Sequence, residues 1–135
     1  MTGANHRHLQ PPRGVNGPGP GLFRAAALIV AVVLAWLAFR PSTGADVGLP
    51  WDKANHCFAF LVLTVLTGCG WSGLGAARMA AIMLSAGIGI ELVQRLPAVG
   101  RHAEVLDVVA DMAGFALGWG VLLLGRRRGW PGFRG

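Results

Sequence analysis

Residues 25–39 read AAALIVAVVLAWLAF, an unbroken apolar run held between Arg24 and Arg40. The hydrocarbon core of a bilayer, roughly 30 Å thick, takes about 20 helical residues to cross. With Leu22 and Phe23 ahead of the run, the stretch 22–39 approaches that length, and the two arginine stems can reach toward the headgroups. It therefore predicts a membrane-spanning helix. A signal peptide has an apolar region of similar size, but Arg40-Pro41 follows directly and no A-x-A-like site precedes Gly48, so the reading is an uncleaved span.

Three further apolar windows cover about 54–71, 79–94 and 105–125. Pro97 and Gly100 stop the third, and Arg126, Arg127 and Arg128 close the fourth. No strand-like alternation competes over these lengths. The chain has 135 residues, 53% hydrophobic and 13% charged, with a net charge of +6. A soluble domain carries roughly a quarter charged residues, and a nucleic-acid binder would spread its basic residues along a soluble surface. The expected fold is an all-α integral membrane four-helix bundle. Residues 1–20, rich in Pro, Gly, Asn and His, read as a disordered cytoplasmic tail. Residues 21–126 form the four-span domain, and 127–135 a basic cytoplasmic tail. The GPGPG of residues 17–21 reads as a linker, and His6 and His8 as solvated tail residues.

Orientation follows from Lys and Arg, which are retained on the cytoplasmic side. Arg7, Arg13, Arg24, Arg78, Arg126, Arg127, Arg128 and Arg134 fall on one side of the predicted bundle, against Arg40, Lys53, Arg95 and Arg101 on the other. Both termini are thus expected in the cytoplasm. All six acidic residues, Asp46, Asp52, Glu91, Glu104, Asp107 and Asp111, fall on the outer side.

An ionisable group within a span costs roughly 2.5–3.5 kcal/mol at the helix centre, so each one calls for a partner or a use. At about 100° per residue, Asp111, Gly114 and Gly118 share a face with Asp107, and Glu91 and Gln94 share one with Gly87. Asp52, Phe60, Leu63 and Thr67 lie within about 40° of His56, with Lys53 about 60° away. These faces should turn inward on one another, and the spacing of Gly114 and Gly118 suits close helix approach. One reading is a structural ion-pair network in which Lys53 and Arg101 neutralise the carboxylates. The other is a polar pocket open to the outer side, with three competing chemistries. A divalent metal would use His56 with Glu91, Asp107 or Asp111. Acid/base work would use His56 and Glu91, histidine being the side chain that titrates nearest neutrality. Recognition of an anion would use Lys53 and Arg101. No compact metal-binding spacing and no nucleotide loop is present. Cys57 and Cys69, about 18 Å apart along one helix, read as packing residues.

The residues Asp52-Lys53-x-x-His56-x-x-x-Phe60, then Glu91-x-x-Gln94, Pro97, Arg101, Asp107, Asp111, Gly114 and Gly118 resemble the VanZ-like family of small bacterial membrane proteins. The likeness covers about residues 50–120. It implies a multi-span protein of the bacterial inner membrane, and the family's namesake is linked to teicoplanin resistance. Family members most often carry Asn where this chain has Asp111.

The resulting expectation is a pocket that binds or acts on a membrane lipid or a lipid-linked or peptidoglycan-related envelope component. The catalytic candidates are His56, Glu91 and Asp107, and the binding candidates Asp52, Lys53, Gln94, Arg101 and Asp111. Asp107 is expected to orient His56 or Arg101. The rival classes are a small proton-coupled transporter and a non-catalytic assembly partner of envelope enzymes.

Overall fold

The computed structural model describes residues 17–40, 52–99 and 104–133. These form four helices and no strand: α1 (Pro20–Phe39), α2 (Asp52–Gly70), α3 (Ala76–Gln94) and α4 (Val105–Arg128). A helix is present over each of the four expected windows. Helix α1 begins inside the segment read as a linker, because Pro20 stands at its start, where a missing N–H costs nothing and φ is preset.

α1, α3 and α4 are long and apolar enough to cross a membrane, and α2 is not among them. Lys53, Asn55 and His56 near its start lower its hydropathy. Packing explains how that is tolerated. α2 lies against α4 along most of its length and against α1 on another side. From Lys53 to Gly70, Phe58 alone is exposed. α1 is the opposite case, with Leu22, Leu28, Ile29, Val32 and Trp36 all exposed. A helix that meets hydrocarbon must be apolar on that surface, whereas an enclosed helix can carry polar groups if its neighbours satisfy them.

The seam between α2 and α4 is unusually close. A Cβ placed on Gly114 would overlap the backbone carbonyl of Cys57, and one on Gly118 would stand 2.8 Å from the carbonyl oxygen of Leu61. Further along, Leu122, fully buried, fills the space that Gly68 leaves open. The third contact layer is Phe60 with Met79 and Met83, packed by Leu63, Ile90, Phe115 and Trp119.

The helices alternate in direction. At one end, Arg24 Nε donates to the carbonyl of Gly70 (2.8 Å) and Arg126 Nη2 to that of Gly68 (3.3 Å). These are among the last carbonyls of α2, which lack partners within the helix. The same two guanidinium groups lie over Trp71 and Trp119. α4 closes on Gly129 at φ 65°, with Gly129 N–H donating to Arg126 O and Trp130 N–H to Gly125 O, a Schellman ending. The chain then folds back, so that Phe133 packs on Gly125 and Gly132 on Phe23. Residues 127 and 128, read as tail, are therefore helical, and 129–133 cover the bundle's end.

Gly114→Ala should force the α2–α4 backbones apart and cost about 1–3 kcal/mol, the usual range for overpacking. Gly120→Ala, where a Cβ meets open space, should be neutral or stabilising by up to about 1 kcal/mol. Thermal unfolding of the two variants in one detergent compares them directly.

Candidate functional site

Antiparallel packing brings the start of α2, the end of α3 and the start of α4 to the end of the bundle opposite Arg24 and Arg126. Each of these helix ends carries ionisable residues: Lys53 and His56 on α2, Glu91 on α3, and Asp107 and Asp111 on α4.

His56 Nδ1 and Asp111 Oδ1 are 3.0 Å apart, and the Asp111 side chain is fully buried. Gly87 makes room for that carboxylate: a Cβ there would lie 2.6 Å from Asp111 Oδ2. Lys53 Nζ donates to Glu104 Oε2 (2.6 Å) and stands 3.3 Å from Asp107 Oδ1, at ion-pair distance without the alignment of a hydrogen bond. The backbone N–H of Glu104 donates to Glu91 Oε2 (2.9 Å). Glu104 is the N-cap of α4 and Asp107 its third residue. In a local capping box the third residue would take the N-cap amide. Here Glu91 reaches over from α3 to take it, which leaves Asp107 to face Lys53.

Glu91 and Asp107 are 6% and 3% exposed, and Asp111 is wholly enclosed. Glu91 Oε1, Asp107 Oδ1 and Asp111 Oδ2 are buried and accept no hydrogen bond among the described residues. One ligand atom each from His56, Glu91 and Asp107 lie within 4.8 Å of one another. The three residues expected to be catalytic thus converge. Asp107, expected to orient His56 or Arg101, faces Lys53 and has a ligand atom within 4.8 Å of one of His56, while Asp111 is the carboxylate at ion-pair distance from His56. Gln94 is buried one turn beyond Glu91. The Asp52 side chain and Arg101 lie outside the described residues, as do residues 1–16. Cys57 and Cys69 are both free thiols.

Two residues that belong here were missed by sequence reading. Glu104 links Lys53 and Glu91, and the sequence places it only among the acidic residues of the outer side. Gly87, placed on the face of Glu91, proves to be space for Asp111.

Among the described residues four carboxyl groups, Glu91, Glu104, Asp107 and Asp111, gather about the ammonium of Lys53 and the ring of His56, while Arg40 and Arg95 cap α1 and α3 at the same end. The three buried ones, Glu91, Asp107 and Asp111, need a proton, a cation or further donors. The arrangement is therefore equipped to exchange protons or to take up a positive charge.

No family model, curated protein or solved structure matches the chain.

Gly87→Ala should push the Asp111 carboxylate off His56 Nδ1. Imidazole nitrogen NMR of labelled protein should report an altered tautomer balance in Gly87→Ala and in Asp111→Asn, and an unaltered one in Gly89→Ala, where a Cβ meets open space.

Proposed function

We propose that this is a multi-pass protein of the bacterial inner membrane, with both termini in the cytoplasm, whose polar end lies beneath the outer leaflet and binds or acts on a cell-envelope component. The component is lipid-linked or peptidoglycan-related. The observation that carries this reading is the convergence of His56, Glu91, Asp107 and Asp111 from three helices at one end, where Glu91 Oε1 and Asp111 Oδ2 are buried without a hydrogen bond among the described residues and Asp107 Oδ1 has an ion pair but no hydrogen bond. Ion pairs that only fix helix register would be expected to match their acceptors. Intramembrane ionisable groups are functional candidates by default. The outward orientation rests on the positive-inside rule, with Arg24, Arg78 and Arg126–Arg128 at the end away from the cluster.

A second feature favours a component with a hydrocarbon chain. A groove of about 450 Å³ runs between α2 and α4, lined by Lys53, Cys57, Phe58, Leu106, Val109 and Ala113 among others. It is apolar except at Lys53, the residue that also meets Glu104 and Asp107. A chain lying in the groove would bring its head group to the cluster. There, His56, set by Asp111, and Glu91 would handle protons, Gln94 would supply directional hydrogen bonds, and Lys53 would offer positive charge. Because Lys53 faces several carboxyl groups within the cluster, an anionic head group brought against Glu91, Asp107 and Asp111 would be repelled unless a cation stood between them. A divalent ion is the cofactor that this donor set admits. The VanZ-like resemblance agrees with this reading, and extends it to glycopeptide tolerance.

Native mass spectrometry of protein released from bacterial membranes should detect a retained phospholipid or polyprenyl phosphate. Val109→Trp, which fills the groove, and Glu91→Gln should each lower retention several-fold without loss of helical content. Equal retention in all three proteins would overturn the reading. In cells, alanine at His56, Glu91 or Asp107 should abolish any teicoplanin tolerance conferred by expression, at unchanged membrane abundance.

A further inference from the structure

We propose that His56, Glu91 and Asp107 are the ligands of a divalent transition-metal ion, zinc or manganese in class, and that Asp111 is the outer carboxylate that orients the histidine. The inference uses the groups described above but stands whether or not the bound component belongs to the cell envelope.

The donor set comes first. One imidazole and two carboxylates make a mixed nitrogen and oxygen environment, which suits zinc or manganese better than calcium or a thiolate-preferring ion. The three donors come from three different helices, α2, α3 and α4, so their proximity is a product of the fold and not of local spacing. Their ligand atoms lie within 4.8 Å of one another. Tetrahedral bonds of about 2.1 Å put ligands roughly 3.4 Å apart, so atoms up to 4.8 Å apart must close by up to about 1.4 Å on loading.

An independent observation points to a cation in the gap. Glu91 and Asp107 are both more than nine-tenths buried, and each holds a buried oxygen without a hydrogen bond among the described residues. Glu91 has its other oxygen fixed by the Glu104 amide, which sets the carboxylate plane while Oε1 remains for an ion. Lys53, 3.3 Å from Asp107 Oδ1, already supplies one positive charge at the rim.

The third element is the partner of His56. Histidine ligands of metals commonly donate their second ring N–H to a carboxylate, which fixes the tautomer and raises the basicity of the coordinating nitrogen. The contact between His56 Nδ1 and Asp111 Oδ1, at 3.0 Å, has that form: in the tautomer with Nδ1 protonated, Nε2 is the coordinating nitrogen. Gly87 holds the space in which the Asp111 carboxylate sits. Asp111 is thus a positioning residue rather than a ligand.

The test uses full-length untagged protein in nanodiscs, with His6→Ala and His8→Ala in every sample so that the tail contributes no binding. After chelator treatment, Zn²⁺ and Mn²⁺ titrations by calorimetry should give one ion per chain for at least one metal. Glu91→Gln and Asp107→Asn should weaken binding at least tenfold, and Asp111→Asn by 10–100-fold, as removal of an outer-shell partner does. As a check independent of affinity, Co²⁺ loading of His56→Cys should produce a thiolate-to-cobalt charge-transfer band that the parent lacks. No stoichiometric uptake of either metal by the parent, affinities unchanged across the ligand variants, or no charge-transfer band in a folded His56→Cys protein would each overturn the proposal. None of these measurements involves a lipid, so a failure here is separate from a failure of lipid retention.

Discussion

The approach of α4 to α2 is limited by backbone and not by side chains. The carbonyl of Cys57 occupies the place where any side chain at position 114 would stand. Two helices in such contact are fixed both in separation and in their offset along the axis, since a small shift would run a carbonyl into a neighbouring residue. The offset decides which α4 residues face His56, one position before Cys57. Asp111, three residues ahead of Gly114, is brought to Nδ1, and Asp107, one turn earlier, is brought to Lys53. The polar chemistry of this end is therefore a consequence of two glycines deeper in the bundle.

Electrostatics makes the same end costly. Carboxylates in hydrocarbon are stable only when something positive or proton-donating meets them. The bundle meets part of that requirement with Lys53, with the Glu104 amide and with His56. It meets it by long-range pairing, each pair joining two different helices or their caps, so the cluster exists only once the helices have assembled. The far end is built by simpler means. There Arg24 and Arg126 take the unpaired carbonyls of α2 and stack on tryptophans.

Much of this architecture is legible in the chain itself. The run AAALIVAVVLAWLAF and the three windows after it place all four helices, and helical angles alone put Asp107, Asp111, Gly114 and Gly118 on one face. The buried residues of α4 follow that face. What angles cannot give is axial register. Asp107 and Asp111 differ by about 40° around the helix, so either could face the histidine, and the choice rests on the Cys57–Gly114 contact. Glu104 was hidden for a related reason: its amide is capped from α3, thirteen positions away along the chain, in place of a local partner. The reading of α2 as an ordinary span also needed its neighbours, because its hydropathy is offset by enclosure.

α1 stands apart from this economy. It contributes no group to the cluster and turns most of its surface outward, with only Ala27 and Ala38 buried. Sequence drift should accordingly be unequal along the chain. Almost any bulky apolar residue will serve along the outer flank of α1, whereas the positions on the α2–α4 seam are each tied to a particular atom opposite. Two descendants of one ancestor would come to share little in their first forty residues and still hold the same arrangement of acid and base at the other end.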